Sequence, residues 1–289
     1  MSADLPAGPA ATELPPGQPA DLLALATGIA AEAGQLLASW RRQGRPEVAS
    51  TKSSDTDVVT EMDRQSERLI AERIQAVRPG DAVLGEEGGQ TGSGARVRWV
   101  VDPLDGTVNY LYGLPEWAVS IAVEVDGVIV AGVVDAPELG VVFTGSTGGG
   151  AWLTRGGSSM TSAARLRCND PVPLDHALVA TGFGYTAGRR EVQGAVVGAL
   201  LPRVRDIRRR GSAAVDLCMV AAGRVDAFYE RGLNYWDYAA GGLIAREAGA
   251  VVGGLSGKPE STSMAVAAGP GLYSRLADFL AGLDPERDA

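Results

Sequence analysis

At 289 residues, with 45% hydrophobic and 21% charged side chains, the chain suits one large domain or two small ones, which excludes collagen-like, coiled-coil or disordered architecture for most of it. Its 35 acidic residues outnumber 26 basic ones for a net charge of −9, so a nucleic-acid module working through its overall field is not expected. A single histidine, His176, argues against Ser-His catalysis and His-ligated zinc, and two cysteines, Cys168 and Cys218, read as buried free thiols of a reducing compartment.

Residues 1–20 hold five prolines, two acids and no basic residue, the opposite of a signal peptide, and read as a flexible Pro/Ala-rich tail. No run approaches the ~18 uninterrupted apolar residues of a membrane span, so a cytoplasmic chain without membrane contact is expected. Leu22, Leu25, Ile29, Ala33, Leu36, Leu37 and Trp40 make the stripe of an amphipathic helix over 21–42, ended by Gly44 and Pro46. A polar loop over 50–60 leads to Thr60, the expected N-cap of a second helix with Leu69, Ile70, Ile74 and Val77 as its stripe. Short apolar runs at 83–84 and 98–101 predict strands. Runs at 118–125, 127–134, 141–144 and 151–153 follow at hairpin spacing, with Asp126-Gly127 as a two-residue turn. Strands and helices then alternate: 177–181, 191–205, 212–222, 225–229, 236–248, 265–268 and 272–283. The pattern predicts an α+β half over 21–155 and an α/β half over 156–289 sharing one structure.

Acids cluster at strand ends. Gly85-Glu86-Glu87-Gly88 follows one apolar run, and Asp102-Pro103-Leu104-Asp105-Gly106-Thr107 follows the next. Pro103 stops the ladder and Gly106 permits a tight turn, which places Asp102 and Asp105 together in a loop, near enough to share hard cations through oxygen ligands. Glu86, sixteen residues before Asp102, fits a neighbouring strand. If residues 106–112 begin a helical turn, the N–H groups of Gly106 and Thr107 are free for an anion. Carboxylates for Mg²⁺ beside free amides is the layout of a phosphate-ester hydrolase. Asp237, after Trp236, opens an apolar helix and doubles as a candidate N-cap.

The run WVVDPLDGTVNY at 99–110 is similar to the first signature of the inositol monophosphatase family, and NYWDYAAGGLIAREAGA at 234–250 resembles the second. GEEG at 85–88, KSSDTDVVTEMD at 52–63 and RGSAAVDLCMVAAGRVDAFYE at 210–230 agree in the same order, so the resemblance spans about residues 21–283. It implies a layered αβαβα sandwich of the sugar-phosphatase kind and a Mg²⁺-dependent phosphomonoesterase acting on inositol 1-phosphate by direct attack of metal-activated water. By that resemblance Glu86, Asp102, the carbonyl of Leu104, Asp105 and Asp237 would hold two or three Mg²⁺ ions. Thr107, bonded to Asp63, would orient the attacking water. Asp105, Gly106, Thr107, Ala213, Glu230 and Asp237 would contact substrate, and Lys52 would lie in a mobile loop near the metals. A homodimer and inhibition by Li⁺ are implied as well. Tyr110 in place of the more usual Phe and Ser212 in place of Thr depart from the family pattern without removing a ligand.

Within the same resemblance, fructose 1,6-bisphosphate, histidinol phosphate, 3′-phosphoadenosine nucleotides and 2′-AMP or NADP are the rival substrates, and a protein-binding role in transcription is the rival class. Val108, where members acting on sulfate-pathway nucleotides or histidinol phosphate often carry Lys, leans toward inositol. The glycines at 145–150 read as a hairpin turn, and Gly257-Lys258 lacks the earlier glycine of a P-loop. The basic stretch Arg203, Arg205, Arg208, Arg209 and Arg210 reads as a solvated helix end, an interface, or a rim that attracts anions.

Overall fold

The computed structural model describes residues 17–44, 48–51, 58–92, 94–155 and 163–287. Helices α1 (Pro19–Gln43) and α2 (Glu61–Val77) lie on one face of an eight-stranded sheet. Helix α1 starts two residues inside the stretch expected to be a tail. Its stripe of Leu22, Ala26, Ile29, Ala33 and Leu37 is buried with Ile70 and Ile74 of α2 and with Trp99, Val101 and Ile121 of the sheet. Val77, expected in the stripe, is 56% exposed. It is the last residue of α2, and the buried Arg78–Asp81 ion pair, tied to the indole of Trp99, occupies the end of the stripe instead. Among the described residues α1 alone is long and apolar enough to cross a membrane, yet eight of its residues are buried in the fold.

The stretch 50–60, read as a loop, contributes the antiparallel pair β1 (Val48–Thr51) and β2 (Val58–Thr60). The large sheet is built from β3 (Ala82–Gly85), β4 (Gly89–Thr91), β5 (Val97–Asp105), β6 (Ala118–Val125), β7 (Val128–Ala136), β8 (Val141–Ser146), β9 (Gly150–Arg155) and β10 (Ala164–Arg165), in the order β10-β9-β8-β7-β6-β5-β3-β4. Asp126 and Gly127 both have positive φ, 51° and 84°, as the tight turn between β6 and β7 requires.

A short helix α3 (Thr107–Tyr112) follows β5. The second half forms β11 (Leu178–Thr181), α4 (Ala187–Leu200), β12 (Asp206–Arg208), α5 (Ala213–Ala221), β13 (Ala227–Glu230), α6 (Tyr235–Glu247), β14 (Val251–Gly253), β15 (Ala265–Ala268) and α7 (Pro270–Ala281), with a five-stranded sheet ordered β12-β11-β13-β15-β14. All nine residues of α5 are buried, because α5 and α6 fill the space between the two sheets. Strand alternation feeds both faces. Ala180, Phe228 and Ala267 point to that central layer, while Val179, Tyr229 and Val266 point outward to α4 and α7. The result is a layered αβαβα sandwich.

Candidate active site

Register brings the first acids together. Strands β3 and β5 are parallel with Gly85 opposite Val101, so Glu86 and Asp102, the next residues, are neighbours. Between β5 and β6 the pairing passes from Asp102↔Ser120 to Asp105↔Ala118, three steps against two, which defines a one-residue bulge at Pro103-Leu104. Without it, Asp102 and Asp105 would fall on opposite faces; with it they share one side. The expectation that Pro103 ends the strand is therefore corrected. Strand β5 continues through the bulge to Asp105, and Ser66 of α2 fixes the bulge by donating to the Pro103 carbonyl at 2.9 Å. Gly106 then turns the chain with φ 91°, and a Cβ there would sit 2.8 Å from the Glu116 carbonyl oxygen.

The second half meets this edge with helix N-termini and strand ends. Ser212 caps α5, accepting from the Val215 N–H, and donates to Asp105 Oδ2 at 2.6 Å; the Ala214 N–H reaches the same oxygen at 2.7 Å. Asp237 is not the cap of α6, as the sequence left open: Asn234 is, and Asp237 closes a capping box by accepting from the Asn234 N–H at 2.6 Å. Strands β11 and β13 are parallel, with Thr181 opposite Tyr229, which sets Glu230 against Gly182, where only a glycine leaves room for the carboxylate.

Glu86, Asp102, Leu104, Asp105, Gly106, Thr107, Ala213, Glu230 and Asp237 all line one cavity of about 350 Å³. Asp63 stands behind it in a capping box with Thr60 and accepts from Thr107 Oγ1 at 2.9 Å; the same hydroxyl lies 3.1 Å from the Leu104 carbonyl oxygen. Lys52 lies outside the described residues. Sequence reasoning missed the part played by Ser212, by Ser66, and by Asn109, whose amide donates to the Glu116 and Arg210 carbonyls and ties the two halves together. It also missed most of the far wall, formed by Phe183, Tyr185, Thr186, Arg189 and Arg231; Arg209, one of the basic stretch singled out from sequence, stands there with them.

The electrostatics are those of crowded anions. Burial, then the charges of Glu86, Asp105 and Asp237, push the Asp102 carboxyl well above its usual range, and burial followed by Glu86 and Asp105 does the same to Asp237. Burial raises Asp105 to about 6 against the opposing Ser212 hydroxyl and Ala213 and Ala214 amides. Asp63 is raised to about 6 by burial, and Glu230 to about 8 by burial, then Asp216 and Asp105. Desolvated carboxylates that raise one another are a donor set for hard cations. Among the described residues, however, no three of them converge in ligating geometry, so the expected ligand set is assembled as neighbours rather than as a closed cage.

The other sequence candidates fall away. His176 is exposed, Cys218 is buried and Cys168 half-buried, both free. Gly148 and Gly150 donate to the carboxylate of Glu247 at 2.9 Å each, so the glycine turn is filled by the protein's own anion. Of the basic stretch, Arg208 pairs with Asp206, Arg210 with Asp216, and Arg205 donates to the His176 carbonyl.

A layered sandwich with an acid-lined cavity where two sheets and the N-termini of α5 and α6 meet is the architecture of a carboxylate-based metal-dependent hydrolase. The chain matches the inositol monophosphatase family over residues 18–282. It is 44% identical to the inositol-1-monophosphatase of Mycobacterium bovis over 293 aligned positions, covering 95% of this chain and 99% of the relative. It is 40% identical to the Nus factor SuhB of Escherichia coli over 238, covering 82% and 86%. The solved structure of Mycobacterium tuberculosis SuhB superposes with a TM-score of 0.78 at 43% identity, covering 93% of this chain and 99% of that one. The chain belongs to the inositol monophosphatase family.

Proposed function

We propose that the chain is a Mg²⁺-dependent phosphomonoesterase that hydrolyses inositol 1-phosphate to inositol and phosphate. The observation that carries this reading is the group Glu86, Asp102, Asp105 and Asp237, four acids on one cavity, with the Asp102 and Asp237 carboxyls raised by burial and by the charges of their neighbours. An all-oxygen set of this kind fits two or three Mg²⁺ ions, with the Leu104 carbonyl as a further donor. When bound, the ions would supply Lewis-acid charge at the phosphate and lower the pKa of the attacking water. Li⁺ inhibition follows from the family reading.

The chain's own residues do the rest. Asp63 holds the Thr107 hydroxyl at 2.9 Å, so Thr107 can orient a water and pass its proton toward a carboxylate buried behind it. Ser212 and the Ala214 amide fix Asp105 at the mouth of α5, and the Gly106 and Thr107 amides offer donors to phosphate oxygens. Ala213, Glu230 and Asp237 line the cavity where the polyol hydroxyls would lie. Residues 21–155 supply most of the metal loops and 156–289 complete the site with Asp237 and the substrate wall, so both halves act as one catalytic unit in the cytoplasm, as a homodimer.

A second reading, a protein-binding role in transcription, is favoured by the 40% identity to a relative named Nus factor SuhB. A panel of inositol 1-phosphate, fructose 1,6-bisphosphate, histidinol phosphate, 3′-phosphoadenosine nucleotides and 2′-AMP, assayed with Mg²⁺ and again with EDTA, tests the enzyme reading. Chelator-sensitive hydrolysis with inositol 1-phosphate among the good substrates is expected. Absence of hydrolysis with every ester would leave only the binding role.

A further inference from the structure

One face of helix α2 meets three of the segments that build the acid side of the cavity. Asp63, Ser66 and Glu67 stand at spacings of three and four residues, so their side chains project to the same side of the helix. Asp63 accepts from the Thr107 hydroxyl, and Ser66 donates to the Pro103 carbonyl. The third contact belongs to the hairpin that carries Glu86. One carboxylate oxygen of Glu67 accepts from the Glu87 N–H at 2.8 Å, and the other accepts from the Gly88 N–H at 2.6 Å. Glu67 itself does not line the cavity.

That hairpin is weakly held by the sheet. Gly85 of β3 pairs with Gly89 of β4 across a three-residue turn, Glu86-Glu87-Gly88. Strand β4 is the last strand of the sheet, three residues long and exposed along its whole length. An edge this short adds few backbone bonds and little buried surface, so it opens at low cost. Burial first, and then the charge of Glu86, raises the carboxyls of Asp102 and Asp237, so like-charge repulsion pushes the hairpin away from the cavity. Two bonds to Glu67 oppose that swing, and bonds to an ionised acceptor are stronger than neutral ones. An acid is needed here. Only a carboxylate offers an acceptor to each of two N–H groups, whereas a glutamine amide would turn a donor toward one of them. Room is made for it as well. A Cβ at Gly85 would lie 2.5 Å from Glu67 Cδ, and one at Gly88 would lie 2.6 Å from Glu67 Oε1. Neither glycine has a positive φ, so the space, not the backbone conformation, is what requires them.

We propose that Glu67 is the positioning residue for Glu86, holding the hairpin so that the Glu86 carboxylate stands beside Asp102 before a cation arrives. The inference rests on the reading of Glu86 as a metal ligand and extends it to a residue that binds no metal itself. Its consequence is a division of effects. Loss of Glu67 keeps every proposed ligand in the chain but frees one of them, so cation affinity falls while the chemistry at full loading is preserved.

The test measures bound Mn²⁺ by electron paramagnetic resonance, since Mn²⁺ takes the same oxygen ligands as Mg²⁺. Glu67→Gln should weaken Mn²⁺ binding at least about tenfold, the range for losing a group that orients a ligand. The Mg²⁺ concentration giving half-maximal turnover should rise by the same factor, with kcat at saturating Mg²⁺ within about twofold of wild type. Gly88→Ala reaches the same contact from the other side. Apart from its chain neighbours, only Glu67 lies within 4 Å of the added Cβ. It should therefore weaken Mn²⁺ binding in the wild-type chain and change it less than about twofold in a Glu67→Ala background. A cycle with Glu86→Gln separates positioning from charge alone. A carboxylate attracting cations through space would act with or without Glu86, whereas one acting through Glu86 should alter the Mn²⁺ affinity of Glu86→Gln by less than about twofold. Arg68→Ala, on an exposed side of the same helix, should leave affinity unchanged and controls for damage to α2. Wild-type Mn²⁺ affinity in Glu67→Gln, a lowered kcat with unchanged affinity, or a loss that persists in full in the Glu86→Gln background would overturn the proposal. Failure of the wild-type chain to bind Mn²⁺ would overturn the metal reading and this one with it; wild-type binding that Glu67 does not influence would overturn this one alone.

Discussion

Asp135 lies in β7 against Gly34 of α1, 6% exposed and without a hydrogen-bond partner among the described residues. Burial alone raises its carboxyl from the ordinary 3.8 to about 7. In the unfolded chain this group loses its proton near pH 4, while in the folded chain it keeps the proton to about pH 7. Over that window the folded state binds the extra proton, so stability falls as pH rises, and the full cost is present above about pH 7. Three pH units at about 1.36 kcal/mol each give a ceiling of about 4 kcal/mol. Asp135→Asn keeps the shape of the side chain and cannot ionise. Urea unfolding followed by tryptophan fluorescence should therefore show variant and wild type drawing apart with pH. The variant should gain about 3 kcal/mol between about pH 5 and about pH 8 relative to wild type. The comparison cancels the titration of the cavity acids, which both chains share. Parallel stability curves, or divergence in the opposite sense, would refute the assignment of a desolvated, unpaired carboxyl beneath α1.

Three further outcomes are expected. Thr107→Val, nearly the same shape, leaves Asp63 without its 2.9 Å partner and should lower kcat by about 10²-fold with KM little changed; an unaltered kcat would remove Thr107 from the chemistry. Glu230→Gln changes a residue proposed to meet substrate hydroxyls rather than the metals, so KM and substrate preference should move more than kcat, as a series of polyol phosphates would show. Sedimentation at micromolar concentration should give a dimer, and proteolytic removal of the first sixteen residues should leave activity intact; a monomer, or inactivation on trimming, would contradict those assignments.

Much of this arrangement is legible in the chain because local chemistry and tertiary role coincide. The stripe of α1, the Thr60 cap and the Asp126-Gly127 turn are local signals that tertiary packing leaves unchanged. The acids after apolar runs were visible because strand ends deliver loops to a common edge. The extra residue at Pro103-Leu104 was not, since a proline ordinarily ends a ladder, and only pairing with β6 shows that β5 continues past it. Strands β12 and β14 are three-residue edges, too short for any periodicity to announce them. Asp237 was read as a possible cap because nothing in sequence ranks it against Asn234, three residues earlier. Ser212 acts through a partner more than a hundred residues away, and such a role has no local signature.

Asp102 is the most deeply buried of the four proposed ligands, 1% exposed, and its carboxyl feels the charges of the other three. Asp102→Asn keeps the oxygen that accepts the Leu104 N–H at 3.0 Å and replaces the other with an amide that coordinates Mg²⁺ poorly. Removing one of four repelling charges should leave the fold intact, which near-native circular dichroism would verify. The decisive measurement is turnover of inositol 1-phosphate by this variant at saturating Mg²⁺. A fall in kcat of at least about 10³, equivalent to about 4 kcal/mol of lost transition-state stabilisation, is expected. Wild-type turnover would contradict the assignment of the acid cluster as the catalytic centre.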